Sequence, residues 1–94
     1  MARFGLHKKP SEFMEELAAR HRQIRKQAGL SQGELARRSG VSLGSLKRFE
    51  GTGQISLESL LKLCEILGRL NDFEAVLKPI PDLAAIERLF SDEK

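Results

Sequence analysis

The sequence predicts an all-α fold, a bundle of about five helices followed by a short helical C-terminal tail. Three observations carry this expectation. Apolar residues recur every three or four positions, as in Leu57, Leu60, Leu61, Cys64 and Leu67. Residues that cap helix starts stand just before such runs, at Ser11, Ser31, Ser42 and Ser56, and glycines follow them at Gly29, Gly40 and Gly68. β-Branched residues are few and scattered, so no strand is expected.

Residues 1–10 show neither helical nor strand periodicity and include Arg3, Lys8, Lys9, Gly5 and Pro10, which reads as a flexible basic arm. Ser11 is expected to cap the first helix, with Glu12, Glu15 and Glu16 near the positive end of its dipole. Phe13, Leu17, Ile24 and Ala28 form its inward stripe, and Gly29 ends it. Ser31-Gln32-Gly33-Glu34 is a capping box for the second helix: the serine hydroxyl and the glutamate carboxylate each accept a backbone N–H that the helix leaves unpaired. Leu35 and Ala36 then point inward, and the helix stops near Ser39-Gly40.

Val41 is expected to pack in the turn and Ser42 to cap a third helix, Leu43 to about Glu50. Leu46 and Phe49 lie on one face of that helix, and its polar side is basic. Gly51-Thr52-Gly53 breaks it, Ile55 returns to the core, and Ser56 opens the fourth helix. Asn71-Asp72-Phe73-Glu74 reads as a further capping box for a short helix carrying Phe73, Val76 and Leu77, which Pro79 and Pro81 interrupt. Asp82 caps last turns carrying Leu83, Ile86, Leu89 and Phe90.

Ninety-four residues with 40% apolar content supply one modest core. No apolar run is long enough to span a bilayer, and the basic N-terminus lacks the apolar stretch of a secretory signal, so a cytoplasmic protein without a membrane partner is expected. Cys64 has no disulfide partner and reads as a small core residue; with His7 and His21 far from it in sequence, no metal-ligand spacing occurs. Residues 1–50 carry eleven Lys or Arg against five acids, a net +6, whereas residues 51–94 carry five against eight, a net −3. Such asymmetry fits a basic face turned to a polyanion and an acidic surface elsewhere. No acid, base and nucleophile cluster and no glycine-rich phosphate loop is present, so neither an enzyme nor a cofactor is expected. All five aromatics are phenylalanines, most of them suited to the core, which leaves no stacking platform for single-stranded RNA.

The stretch from Leu30 to Glu50, LSQGELARRSGVSLGSLKRFE, holds two capped helices joined by a turn containing Gly40, at the spacing of a helix-turn-helix. With IRKQAG before it and SLESLLKLCEILG after it, this stretch resembles the Xre family of repressors, relatives of the lambdoid phage repressors and Cro. Gln32, Leu35, Ala36, Gly40, Val41, Ser42, Leu46 and Glu50 fall at the family's positions, over roughly residues 13–68. The resemblance implies a lambda-repressor-like bundle at residues 11–70 that binds double-stranded DNA sequence-specifically, with the second motif helix in the major groove. By position, Leu43, Gly44, Lys47 and Arg48 would face bases, while Gln32, Ser42 and Ser45 would hold phosphates. Arg48 is the best expected reader, because a guanidinium bonds O6 and N7 of one guanine together. Leu43 and Gly44 stand where many relatives carry polar side chains, so thymine methyl contact and DNA shape are expected to supply part of the readout. The resemblance also implies an ion pair between Arg25 and Glu50.

His21, among Arg20, Arg22 and Arg25, is expected to be exposed and neutral, with a phosphate contact as the alternative. Arg37 and Arg38 either complement the dipole of the second helix or touch the DNA backbone. Arg3, Lys8 and Lys9 either remain disordered or enter a minor groove.

Residues 71–94 carry Phe73, Leu77, Leu83, Ile86, Leu89 and Phe90 in an acidic context, an apolar set expected to pack on the body, on a second copy, or on a partner protein. A homodimer is preferred, because the repressor relatives bind palindromic operators with half-sites about 34 Å apart. SLGSLKRFEGTGQISLESLLKL and LNDFEAVLKPIPDLAAIERLF are further similar to the small Xre proteins that pair with HipA-like kinase toxins. That likeness implies an autoregulating, HipB-type antitoxin. The alternative is a protein-interaction module that neutralises a toxin with little DNA binding.

Overall fold

Four Ser or Lys residues set the helix starts of the body. In a computed structural model describing residues 8–81 and 83–92 (side chains of 83, 85, 86, 91 and 92 excepted), α1 spans Pro10–Gln27, α2 Gln32–Ser39, α3 Leu43–Thr52 and α4 Leu57–Ile66. A 3-10 turn, Leu70–Ala75, and a tail helix α5, Leu83–Asp92, follow. No strand occurs among the described residues.

Ser31 Oγ accepts the Glu34 N–H at 3.1 Å while the Ser31 N–H donates to Glu34 Oε1 at 2.9 Å, so α2 starts on a closed capping box. The Ser31 N–H, together with the Ser31 side chain, holds the Glu34 carboxyl below its usual range. Ser42 and Ser56 accept the N–H of Ser45 and Ser59 at the starts of α3 and α4. α1 departs from expectation: Lys9 rather than Ser11 is its cap, and its N–H donates to Glu12 Oε1 at 2.7 Å. Pro10 takes the first helical position, where its fixed φ suits the helix and its missing N–H costs nothing, which draws the start upstream of Ser11. Gly40, at φ 81°, ends α2 in the left-handed conformation that turns the chain into α3. α3 runs through Gly51 and Thr52 rather than stopping at Glu50, and Gly53, at φ 85°, closes it.

Leu35, Leu46, Phe49 and Leu63 are wholly buried, joined by Ala18, Ala36, Val41, Leu60 and Cys64. Each large side chain so buried stabilises the fold by about 1.5–3 kcal/mol. α1 packs on α3, α2 on both α3 and α4, and the 3-10 turn on α4.

Several expected core positions move. α1 buries Ala18, His21 and Arg25, not the stripe of Phe13 and Leu17, which stays largely exposed. From α3, the Glu50 carboxylate bonds Arg25 and the Nδ1 side of the His21 ring. Leu57, in the first turn of α4, is 64% exposed, and Leu63 takes the central place in its packing. Phe49 is the one phenylalanine among the described residues that is fully buried; Phe13 and Phe90 are exposed, and Phe73 packs partly buried against the core. No capping bond forms at Asn71, because the chain tightens into the 3-10 turn with Arg69 at its cap position. Arg69 instead pairs with Asp72 at 2.8 Å. Lys8 folds back onto α1, its ammonium 2.7 Å from Glu16 and 5.4 Å from the centre of the Phe13 ring. Arg3 and Asp82 lie outside the described residues.

Candidate nucleic-acid interface

Leu46 and Phe49, with no solvent exposure, fix the rotation of α3 about its own axis. The opposite side then has to face outward, because residues three and four apart share a helix face. Gly44, Lys47, Arg48 and Gly51 occupy that outward line, all exposed, with Leu43 and Ser45 at its flanks near the start of the helix. The Ser42 hydroxyl accepts the Ser45 N–H and donates to Ser45 Oγ at 2.8 Å, which leaves the Ser45 hydroxyl hydrogen free to donate outward. An Arg48 guanidinium nitrogen donates to Gln54 Oε1 beyond the end of α3, and Thr52 Oγ1 donates to the Arg48 carbonyl at 2.7 Å. The Arg48 side chain is thus tied to the loop after α3, where it lines an open cleft with Ser45, Ile55, Ser56 and Ser59.

Beside α3, an open cleft is lined by Arg22 and Arg25 of α1, Ser31 and Gln32 at the start of α2, and Lys47, Glu50 and Gly51 of α3. Its floor is a buried polar cluster centred on Glu50, whose side chain is 3% exposed. Arg25 Nε donates to Glu50 Oε2 and Arg25 Nη2 to Oε1, both at 2.9 Å, while Arg25 Nη1 donates to the Leu30 carbonyl. Gln32 Nε2 donates to Glu50 Oε1 at 3.0 Å, and His21 Nδ1 meets Glu50 Oε2 at 2.9 Å. One carboxylate, in the last turn of α3, therefore joins that helix to the late part of α1 and the start of α2. Burial pushes the Glu50 carboxyl up, but the bonds from Arg25, Gln32 and His21 outweigh it and hold the group below its ordinary range.

His21 departs from expectation in being buried, although it is neutral as expected. It is 3% exposed, its ring stands edge-on to Phe49 at 5.0 Å between centroids, and its Nε2 has no hydrogen-bond partner. Burial lowers its pKa more than Glu50 raises it, so the imidazole is held neutral, with the Nδ1 hydrogen donated to Glu50. The spacing of His21 and Arg25, one helical turn apart, was the available signal.

Gln32 is half-buried, and one of its amide hydrogens serves Glu50. Its remaining hydrogen and carbonyl oxygen are left for an outside partner at the mouth of the cleft. In the tail, Leu77 is 94% exposed, and Leu89 and Phe90 are likewise open, while Phe73 belongs to the body; the Leu83 and Ile86 side chains lie outside the described residues. No helix among the described residues is long and apolar enough to cross a membrane.

A family model described as Helix-turn-helix, of the Xre type, matches residues 22–70, just over half of the chain, from within α1 to the first residue of the 3-10 turn. No curated protein matches the sequence.

Proposed function

Because the chain belongs to the helix-turn-helix family, we propose that it is a sequence-specific transcriptional regulator that lays α3 in the major groove of double-stranded DNA. The observation that carries this reading is the division of α3. Leu46 and Phe49 are wholly buried, and Lys47 and Arg48 stand on its open side. Arg48 reads a guanine through paired bonds to O6 and N7, Lys47 adds charge to a base or phosphate, and Leu43 meets a thymine methyl. Ser42 and Ser45 lie against one phosphate stretch, with Ser45 the donor, and Gln32 holds the other strand's backbone from the start of α2. Glu50 orients Gln32 from beneath, so the Arg25–Glu50 pair supports the contact without touching DNA.

The finer reading assigns residues 1–10 to an arm, 11–70 to DNA binding and 71–94 to self-association on a palindromic operator. The exposed Leu77, Leu89 and Phe90 support it. A second reading, a HipB-type antitoxin or an interaction module that neutralises a HipA-like kinase, draws on the same tail and on the non-polar Leu43 and Gly44 at base-facing positions.

Selection of duplexes from a randomised library, followed by a salt titration on the enriched sequence, tests the first reading. Binding that neutralises several phosphates weakens steeply as salt rises. Arg48→Ala is expected to lose about 1–3 kcal/mol and relax preference at one base position, whereas Lys47→Ala weakens all sequences alike. Failure to enrich any duplex sinks the DNA-binding reading and favours the interaction module.

A further inference from the structure

The loop that follows α3 is anchored on both sides of Gln54. Gly53, at φ 85°, lies so close to α1 that a Cβ on it would stand 2.8 Å from the Met14 carbonyl. Ile55 packs partly buried against the core, and Ser56 then caps α4. Gln54 is therefore an exposed side chain on a backbone with little freedom.

A closed set of hydrogen bonds ties this residue to Arg48. The Gln54 N–H donates to Thr52 Oγ1 at 3.2 Å, Thr52 Oγ1 donates to the Arg48 carbonyl at 2.7 Å, and Arg48 Nη2 donates to Gln54 Oε1. A guanidinium can only donate, so the amide oxygen has to face it. The bond takes up one N–H of the guanidinium and leaves the others to an outside partner. Because Gln54 is neutral, the tie also leaves the positive charge of Arg48 uncancelled, as a carboxylate in its place would not. A free arginine on a helix surface samples many rotamers and gives them up on binding, which costs affinity roughly two- to tenfold. An arginine already held in place gives up less.

We infer that Gln54 is a positioning residue for base readout: from the anchored loop it holds the Arg48 guanidinium in one arrangement, so that α3 meets a duplex with this side chain already ordered. The inference rests on the DNA-binding reading and adds to it a residue outside the helix-turn-helix. Gln54 acts through Arg48 and touches neither base nor phosphate.

The test uses the full-length chain and the duplex that the wild-type protein enriches from a randomised library. Gln54→Ala and Gln54→Met, the second of similar length but without the amide acceptor, are each made alone and together with Arg48→Ala, and Tm, affinity and base preference are measured. Expected are an unchanged Tm, a loss of affinity of roughly two- to tenfold for either single variant, and no further loss when Arg48 is already alanine. Preference should relax at the same base position that Arg48→Ala relaxes. An equal loss with and without Arg48 overturns the inference, since Gln54 would then meet DNA itself. Unchanged or tighter binding overturns it as well, because the tie would then be idle or would hold Arg48 back. A Tm lowered enough to account for the lost binding assigns Gln54 to the fold and overturns it too. An Arg48→Ala that binds as wild type does removes the inference while leaving DNA binding intact, whereas a wild-type chain that enriches no duplex removes both.

Discussion

His21 and Glu50 meet at 2.9 Å in the interior, the imidazole giving its Nδ1 hydrogen to a carboxylate that Arg25 and Gln32 also grip. The far nitrogen of the ring has no partner, so a second proton there would be buried without an acceptor. Stability should therefore respond to acid. Burial depresses the His21 pKa, so the unfolded chain takes up a proton near its ordinary value of 6.5 while the folded chain resists it. The contribution is fully present above pH 6.5 and is lost as pH falls below it through the folded value. Glu50, also depressed, adds a second loss below its ordinary 4.5. Thermal melts should show a Tm that falls as pH drops below 6.5 in wild type. His21→Gln, which cannot titrate but can still donate to Glu50, should flatten that decline; an equal decline in the variant would clear His21 of responsibility.

Glu50 carries the largest burden of any exposed-type residue in the body. Removing it strands the Arg25 charge, whose side chain is 8% exposed, and leaves His21 and Gln32 donors unpaired. Glu50→Ala is expected to cost about 3–5 kcal/mol in chemical denaturation. Arg25→Met should cost less than Arg25→Ala, because the longer side chain fills the space while both lose the pair. A Glu50→Ala loss below about 1 kcal/mol would mean that solvent already screens the cluster.

Two helix-ending glycines should behave differently although their backbones are alike. Gly40 and Gly53 sit at φ 81° and 85°. A Cβ on Gly40 would meet nothing within 4 Å, so Gly40→Ala pays only the left-handed strain, about 1–2 kcal/mol. On Gly53 it would stand 2.8 Å from the carbonyl carbon and oxygen of Met14, so α1 would have to move off α3. Gly53→Ala should exceed the Gly40→Ala loss by about 1–3 kcal/mol, as overpacking does. Similar melting shifts for the two would show that the approach of α1 to Gly53 is soft.

Much of the body was legible because its signals are local. The Ser31–Glu34 box, the Ser42 and Ser56 caps and the turn at Gly40 depend on residues within four positions of one another. The inward turn of Leu46 and Phe49 and the outward turn of Lys47 and Arg48 follow from helix periodicity alone. What escaped depends on distant partners. Phe13 and Leu17 outrank His21 on any hydropathy scale, yet His21 is buried, because Glu50, twenty-nine positions away, supplies its bond. Leu57 and Leu63 flank the same stripe on α4, and only the placement of α2 against that helix decides which of them is covered. Pro10 moved the first cap by a rule that was available and outweighed by the serine beside it.

The tail divides near Leu77 into a part that packs on the core and a part that does not. Deleting residues 72–94 would remove Phe73, which packs partly buried against the core beside α4, and should cost the body about 1–2 kcal/mol. Deleting residues 78–94 spares it. That cut falls just after Leu77, which is 94% exposed at a positive φ of 58°, and removes α5, which has no extensive contact with α1–α4 among the described residues. Leu89 and Phe90 are 63% and 68% exposed there, an apolar pair open to a second copy. The shorter deletion should therefore leave Tm within about 2 °C at low protein concentration. It should abolish a concentration-dependent dimer seen by sedimentation in the full chain. A full-length chain that stays monomeric at high micromolar concentration would direct the tail to a different protein, and a Tm that falls as far as in the longer deletion would place α5 in the body after all.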